Sequence, residues 1–196
     1  MKKTTFVLAI ILGLGIIGAT SGSASVYVFN PSPADIYDLD HYRYYTWGID
    51  WDPQGEQVSE VILTFNNIRN WRVEENSLFI HLLDNAPSNL TVGADYDPTI
   101  NDYFAGEGDL IDAWSDPDGG LPGVNLSYSF RELGLVDNFA GYVADGNVGI
   151  TFDPDCHYYN DGVSLTVITD APEPTTLALF ALGLAGGAVV RRKIKK

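Results

Sequence analysis

The sequence has very little cysteine and very little positive charge. Cys156 is the only cysteine among 196 residues, so no disulfide bond can form within the chain and the core must stabilise the fold. Residues 25–171 contain no lysine and 4 arginines against 25 acidic side chains, a net charge of −21. Such a surface repels nucleic acid, and it repels acidic lipid and acidic polysaccharide unless divalent cations intervene. We therefore predict no nucleic-acid partner, and cations, neutral glycans and proteins remain.

The sequence also lacks the short motifs of common active sites. It contains no Gly-x-Ser-x-Gly nucleophile elbow and no glycine-rich phosphate loop. His41, His81 and His157 do not have the spacing of zinc ligands, and each lies in an apolar or aromatic run, which favours structural roles. Adjacent residues of a strand point to opposite faces, so Cys156 and His157 cannot act as a pair. We expect no catalytic residues and no enzyme; a glycoside hydrolase with two carboxylates is the alternative.

Cys156 itself is interpreted as a small buried residue of a strand, because unpaired cysteine behaves as a small hydrophobic side chain. A free thiol or an intermolecular bridge is the functional alternative.

Long apolar runs occur only near the two ends of the sequence. At the start, residues 1–25 combine Lys2-Lys3, an apolar run and small residues, which predicts a signal peptide cut after Ala24 or Ser25. At the other end, 16 uncharged residues follow Pro172-Glu173-Pro174 and precede a basic cluster. A helix of that length spans about 24 Å, slightly short of a bilayer core, and snorkelling basic side chains extend it. Basic residues stay on the cytoplasmic side, which places the rest of the protein outside.

The segment 171–196 resembles the PEP-CTERM sorting signal of Gram-negative bacteria, also described as the C-terminal domain of ice-binding proteins. The resemblance rests on Pro172-Glu173-Pro174, on a small-residue run at 183–187 and on Arg191-Arg192-Lys193. It implies recognition by exosortase, a membrane transpeptidase linked to exopolysaccharide and biofilm production, which cuts near the Pro-Glu-Pro. An ordinary tail anchor is the alternative.

The resemblance also assigns roles to residues and a destination to the protein. The sorting motif is Pro172, Glu173 and Pro174, and the anchor in the inner membrane comprises Leu177, Phe180, Leu184, Val189, Arg191, Arg192 and Lys193. The protein is expected to be anchored first and then released to the cell surface or the extracellular matrix. The signal implies nothing about what the body does.

The body, residues 26–170, is predicted to be one acidic all-β domain. Val61, Leu63 and Phe65 alternate with more polar residues, the period of a half-buried strand. Strands are predicted at 26–29, 38–49, 58–68, 77–84, 124–130, 139–143, 147–152 and 162–169; the segment 108–114 is ambiguous, and 133–136 fits one helical turn. Short strands between Gly, Pro and Asp turns favour a single antiparallel β-sandwich. A jelly roll is preferred because its closed connections protect sheet edges without disulfides.

The loop 153–161 is a candidate calcium site. Asp153, Asp155 and Asp161 could supply the carboxylate oxygens that Ca²⁺ prefers. Asp-x-Asp pairs recur elsewhere, for example Asp116 and Asp118, and the alternative is that these aspartates cap turns. Calcium is the one cofactor that the sequence suggests.

Aromatic residues near acidic and amide side chains suggest contact with sugars. Trp51, Trp71 and Tyr159 are the candidates, because exposed rings stack on sugar rings while carboxylates bond hydroxyl groups; core packing is the alternative. The sequence therefore predicts an exported, non-catalytic protein of the cell surface or biofilm matrix. A carbohydrate-binding module for neutral exopolysaccharide is the alternative.

Overall fold

A computed structural model describes residues 24–96 and 101–170. Most of the predicted signal peptide, the sorting motif at Pro172, Glu173 and Pro174, and the whole predicted anchor lie outside these residues. Within the described part of the chain, no helix is long and apolar enough to cross a membrane.

The described residues form ten strands and two short helices. The strands are β1 (Ser25–Phe29), β2 (Arg43–Asp50), β3 (Gln57–Asn70), β4 (Leu78–Leu83), β5 (Asn89–Ala94), β6 (Asp109–Trp114), β7 (Val124–Ser129), β8 (Asn147–Pro154), β9 (Tyr158–Tyr159) and β10 (Gly162–Asp170). The helices are α1 (Phe130–Leu133) and α2 (Val136–Tyr142), with 3₁₀ turns at Ile36–Asp38 and Val143–Asp145.

The strands form two antiparallel sheets with the order of a jelly roll. The first sheet runs β1-β10-β3-β7, with β9 paired to the end of β3, and the second runs β5-β2-β8-β4-β6. Eight strands remain without β5 and β9, and they can be counted from one to eight along the chain. In this count the first sheet has the order 1-8-3-6, which is that of a jelly roll. The second sheet holds the second, seventh, fourth and fifth, so each sheet combines strands from both halves of the chain. The predicted antiparallel sandwich and its jelly-roll topology are confirmed.

The core lies between the sheets and follows the predicted alternation of β3. Val61, Leu63 and Phe65 are fully buried. The Phe65 ring meets the Phe152 ring of the opposite sheet edge to face, with centroids 5.6 Å apart. Alternate residues of β3 therefore face the second sheet, as a half-buried strand requires.

The second sheet is covered on its outer face as well, which explains the consecutive buried residues of β2. Five successive residues, Tyr45–Ile49, are buried. On the outer side, Tyr103 stacks on Tyr44 with centroids 4.1 Å apart, and the Phe104 ring meets the Tyr44 ring at 5.5 Å. Both faces of this strand are therefore covered.

Three segments differ from their predictions. Strand β2 begins only at Arg43, because the preceding Ile36–Leu39 has positive φ angles and forms a turn fixed by buried Ile36 and Leu39. The predicted strand at 139–143 is instead the end of α2 and its following turn, since buried Phe139 and Val143 lie four residues apart on one helical face. Strand β5 was not predicted; it pairs along the edge of β2, and its side chains are mostly exposed, so no alternation marks it.

The ambiguous segment 108–114 is a strand, β6, paired with β4. Cys156 is buried, as predicted, but it lies in the bend between β8 and β9 and not in a strand.

Candidate functional site at the histidine end

One end of the sandwich brings together both partly exposed histidines and two exposed aromatic rings. We call it the histidine end; β2 begins there and β3 ends there. Its position is set by main-chain bonds: β9 pairs with the last residues of β3, Trp71 N donates to His157 O at 3.0 Å, and Tyr158 N donates to Leu39 O at 3.3 Å. The segment before β2, the residues after β3 and the link from β8 to β9 are thereby held side by side.

Asp40, His41 and His157 form a compact cluster at this end. Asp40 Oδ1 lies 3.2 Å from His157 Nδ1 and 3.3 Å from His41 Nδ1. The exposed fractions of the three side chains are 42%, 40% and 21%, so solvent reaches the cluster. Arg43 Nε approaches the other carboxylate oxygen, Oδ2, at 3.7 Å. Asp40 Oδ1 is therefore the oxygen that both imidazole rings share.

His81, in contrast, has the structural role that was predicted. It is 3% exposed, its Nδ1 lies 3.1 Å from Glu107 O, and its Nε2 lies 2.9 Å from Asp102 Oδ2. Both ring nitrogens thus have partners, and the ring ties β4 to the segment 102–107 that covers the second sheet.

Trp71 and Tyr159, two of the residues predicted to contact sugars, flank His157. Their exposed fractions are 42% and 37%, and their ring centroids lie 6.3 Å and 4.7 Å from that of His157. An arginine packs on each outer ring: Arg72 lies 4.3 Å from the Trp71 ring centre and Arg69 lies 5.1 Å from that of Tyr159. Cation–π contact holds the guanidinium groups against the rings, and both rings stay partly exposed to solvent.

Glu74 fixes the orientation of the tryptophan. It accepts a hydrogen bond from Trp71 Nε1 at 2.6 Å, one from Arg72 Nε at 2.6 Å, and one from the Cys156 thiol. Burial, followed by the hydrogen bond to the Glu74 carboxylate, raises the pKa of the Cys156 thiol to about 11. The thiol therefore stays protonated at neutral pH and acts as a donor, which fits a structural residue and not a reactive one.

Trp51, the third predicted sugar residue, lies at the other end of the sandwich. It follows the last residue of β2 and packs on Tyr27 and Phe29, with ring centroids 5.0 Å and 6.0 Å away. At about 3.3 Å per residue, the eight residues of β2 separate it from the histidine end by more than 20 Å. Trp51 thus does not share a surface with Trp71 and Tyr159.

The predicted calcium residues do not all converge. Asp153 is 1% exposed and its Oδ2 accepts from Tyr103 N at 2.8 Å. Asp155 lies near it, and its buried Oδ2 has no hydrogen-bond partner among the described residues. Asp161 is exposed and accepts from Asn67 Nδ2 at 2.9 Å. The ligand oxygens of these three aspartates do not all lie within 4.8 Å of one another, and the charge of Asp153 acts on Asp155.

Burial and mutual repulsion make Asp153 and Asp155 weak acids. Burial raises the pKa of Asp153 to about 6, with smaller contributions from the charges of Asp95 and Asp102. Burial, followed by the charge of Asp153, raises the pKa of Asp155 to about 7. Both carboxylates are charged in the folded protein only near neutral pH and above, where they repel each other.

Other aspartates do cap turns, as the alternative proposed. Asp116 Oδ1 accepts from Gly119 N at 3.1 Å, and its Oδ2 accepts from Asn70 N at 2.9 Å. Asp52 Oδ1 accepts from Gln54 N at 2.8 Å. These short loops need a side-chain acceptor for a main-chain N–H, which aspartate supplies.

Residues 170–193 match the model of the PEP-CTERM protein-sorting motif. No curated protein matches the chain. The motif implies an exported protein that passes through a membrane-associated sorting step, is processed by exosortase and reaches the cell surface. The match covers the tail, and the jelly roll has no family assigned.

Proposed function

We propose that this protein is a non-catalytic component of the cell surface or extracellular matrix whose jelly roll binds a neutral exopolysaccharide. The observation that carries the proposal is the pair of exposed rings, Trp71 and Tyr159, which both contact His157. Two aromatic faces near one another, bordered by charged and amide groups, suit a sugar chain whose rings stack while its hydroxyl groups form hydrogen bonds.

Charge argues for a neutral polymer. Three of the four arginines of the body, Arg43, Arg69 and Arg72, lie at the histidine end, where they reduce the local negative charge. Arg43 and Arg72 are each already paired with a carboxylate. The end therefore offers hydrogen-bond donors without an excess of positive charge, in a body whose net charge repels acidic polymers.

Binding without cleavage is supported by the position of Asp153, one of the two aspartates with a raised pKa. A glycoside hydrolase needs an acid that reaches the glycosidic oxygen. Asp153 has a raised pKa, but it is 1% exposed and already bonded to Tyr103 N. We therefore do not assign Asp153 the role of a catalytic acid.

The limits of the folded body fit the proposed processing. Ser25 belongs to β1, and its hydroxyl donates to Glu56 Oε1 at 3.1 Å, which favours signal cleavage after Ala24. Strand β10 ends at Asp170, so exosortase cleavage near Pro172-Glu173-Pro174 leaves every described strand intact. We propose that the tail anchors the protein in the inner membrane of a Gram-negative cell until it is cut, and that the product joins an exopolysaccharide-rich biofilm.

The sugar-binding proposal is tested with Trp71→Ala. Loss of a central aromatic contact typically costs about 2 kcal/mol or more, so we expect at least about tenfold weaker binding to neutral polysaccharides on a glycan array or by calorimetry. Trp71 is exposed, so the melting temperature should stay unchanged.

The matched control is Trp51→Phe, which removes an indole from the opposite end and keeps the packing on Tyr27 and Phe29. We expect this variant to bind like the wild type. Binding that survives Trp71→Ala, or that is stronger for uronic-acid polymers than for neutral ones, would rule out the proposed site.

We also propose that Ca²⁺ binds at Asp153 and Asp155. Without metal their raised pKa values make the folded state bind more protons than the unfolded chain, whose aspartates have pKa values of about 4. Their contribution to stability is therefore full at low pH and is lost as the pH rises from about 4 to about 7. A bound cation would reduce the repulsion between the two carboxylates and would be coordinated by the buried Oδ2 of Asp155.

At pH 8, chelation is expected to lower the melting temperature of the full-length protein by about 5–10 °C relative to Ca²⁺ at 100 times its Kd. Asp155→Asn should abolish this difference, whereas Asp161→Asn should keep it because Asp161 is held at Asn67. Equal melting temperatures in chelator and in millimolar Ca²⁺ would contradict the proposed calcium site.

A further inference from the structure

The cluster at Asp40 has the geometry of a metal site that differs in chemistry from the calcium pair. Among the described residues, Asp40, His41 and His157 are the one group of three or more potential ligands whose atoms all lie within 4.8 Å of one another. The set contains two imidazole nitrogens and one carboxylate oxygen. Such a set suits Zn²⁺ and neighbouring transition metals, whereas Ca²⁺ prefers oxygen ligands alone.

The distances fit a tetrahedral ion. Zinc bonds to imidazole nitrogen and carboxylate oxygen of about 2.0–2.1 Å place neighbouring ligand atoms of a tetrahedron about 3.3–3.4 Å apart. Asp40 Oδ1 lies 3.2 Å and 3.3 Å from the two Nδ1 atoms. These separations are long for charge-assisted hydrogen bonds, which are about 2.7–2.9 Å.

The surroundings favour coordination through these particular atoms. His157 Nε2 is buried and has no hydrogen-bond partner among the described residues, whereas Nδ1 lies 3.2 Å from Asp40 Oδ1, so Nδ1 is the nitrogen on the side of the cluster. Arg43 pairs with Asp40 Oδ2 and leaves Oδ1 to the imidazoles. A groove of about 440 Å³ lined by Asp40, His41, Tyr42 and Val92 adjoins the cluster and gives an ion access.

We propose that Asp40, His41 and His157 bind a Zn²⁺-class divalent transition-metal ion through Asp40 Oδ1 and the Nδ1 atoms of both histidines. The fourth position faces solvent and holds water. The ligands come from two segments 117 positions apart in sequence, so the ion joins the segment before β2 to the link between β8 and β9.

The test is calorimetric titration of the full-length protein, purified in mild detergent, with Zn²⁺ in a background of millimolar Ca²⁺ that saturates oxygen-only sites. We expect one ion per chain and a rise in melting temperature with Zn²⁺. Asp40→Asn and His41→Ala should each weaken binding at least about tenfold, because loss of a direct ligand costs no less than loss of the groups that orient it. Both side chains are about two-fifths exposed, so neither change disturbs the core.

Asp38→Asn is the matched control, because it removes a carboxylate two residues away that is not in the cluster; it should bind like the wild type. Co²⁺ supplies a second readout, since bound in a tetrahedral nitrogen-containing site it gives visible absorption bands that Asp40→Asn should lose. No Zn²⁺ binding by the wild type, unchanged binding in Asp40→Asn and His41→Ala, or an equal loss in Asp38→Asn would each overturn the proposal.

Discussion

Replacement of Phe65 by alanine is expected to lower the free energy of unfolding by about 3–5 kcal/mol, a large part of the stability of a domain of this size. Phe65 is fully buried in β3 and touches Phe152 of the opposite sheet, so the change opens a cavity between the two sheets. Chemical denaturation of the full-length protein measures the loss of unfolding free energy.

Two further variants test whether the loss of stability is specific to the buried Phe65 or follows any substitution. Val73→Ala alters a side chain that is 72% exposed and should change the unfolding free energy by less than about 0.5 kcal/mol. The double variant Phe65→Ala, Phe152→Ala should cost less than the sum of its single variants, because the edge-to-face pair contributes about 0.5–1.5 kcal/mol of its own. A small loss in Phe65→Ala would show that the two sheets do not pack through this residue.

Replacement of Pro172, Glu173 and Pro174 by alanine is expected to abolish C-terminal processing. The matched motif begins at residue 170, where β10 ends, so the changes alter the recognition segment and leave the strands of the body intact. Alanine lacks the fixed φ angle of proline and favours helices, so the triple change removes both the backbone restriction and the Glu173 carboxylate from the motif. The uncut body should stay in the membrane fraction, as immunoblots of fractionated cells would show.

Glu132→Gln is the matched control, because it removes an exposed carboxylate of the body and leaves the whole matched segment 170–193 unchanged. It should be processed and reach the surface at the wild-type level. Normal processing of the triple variant would contradict recognition through this motif.

Much of the sandwich could be predicted because each inner face has a period of two. Val61, Leu63 and Phe65 are the plainest example, because all three are buried between residues that are more exposed. Helix α2 was not predicted, because Phe139 and Val143 are four residues apart and such residues share one face in a strand as well as in a helix. The exposed edge strand β5 carries no alternation to recognise.

The candidate site could be predicted only in part, for a reason of topology. Trp71 and Tyr159 stood out as aromatics beside turns, and the pairing of β9 with β3 brings them together. The meeting of His157 with Asp40 depends on the jelly-roll connections and on the turn before β2, where residues other than glycine adopt positive φ angles. Spacing along the chain carries no signal of that contact.

The central claim, that the acidic jelly roll is delivered to the outside of the cell by its tail, is tested most directly by the C-terminal mass of the body recovered from intact cells. Protease treatment of whole cells should remove the body from the surface. Mass spectrometry of untreated material should find a chain that ends near Pro172-Glu173-Pro174 and lacks residues 175–196. A soluble body inside the cell, protected from the protease and still carrying both ends, would contradict the account.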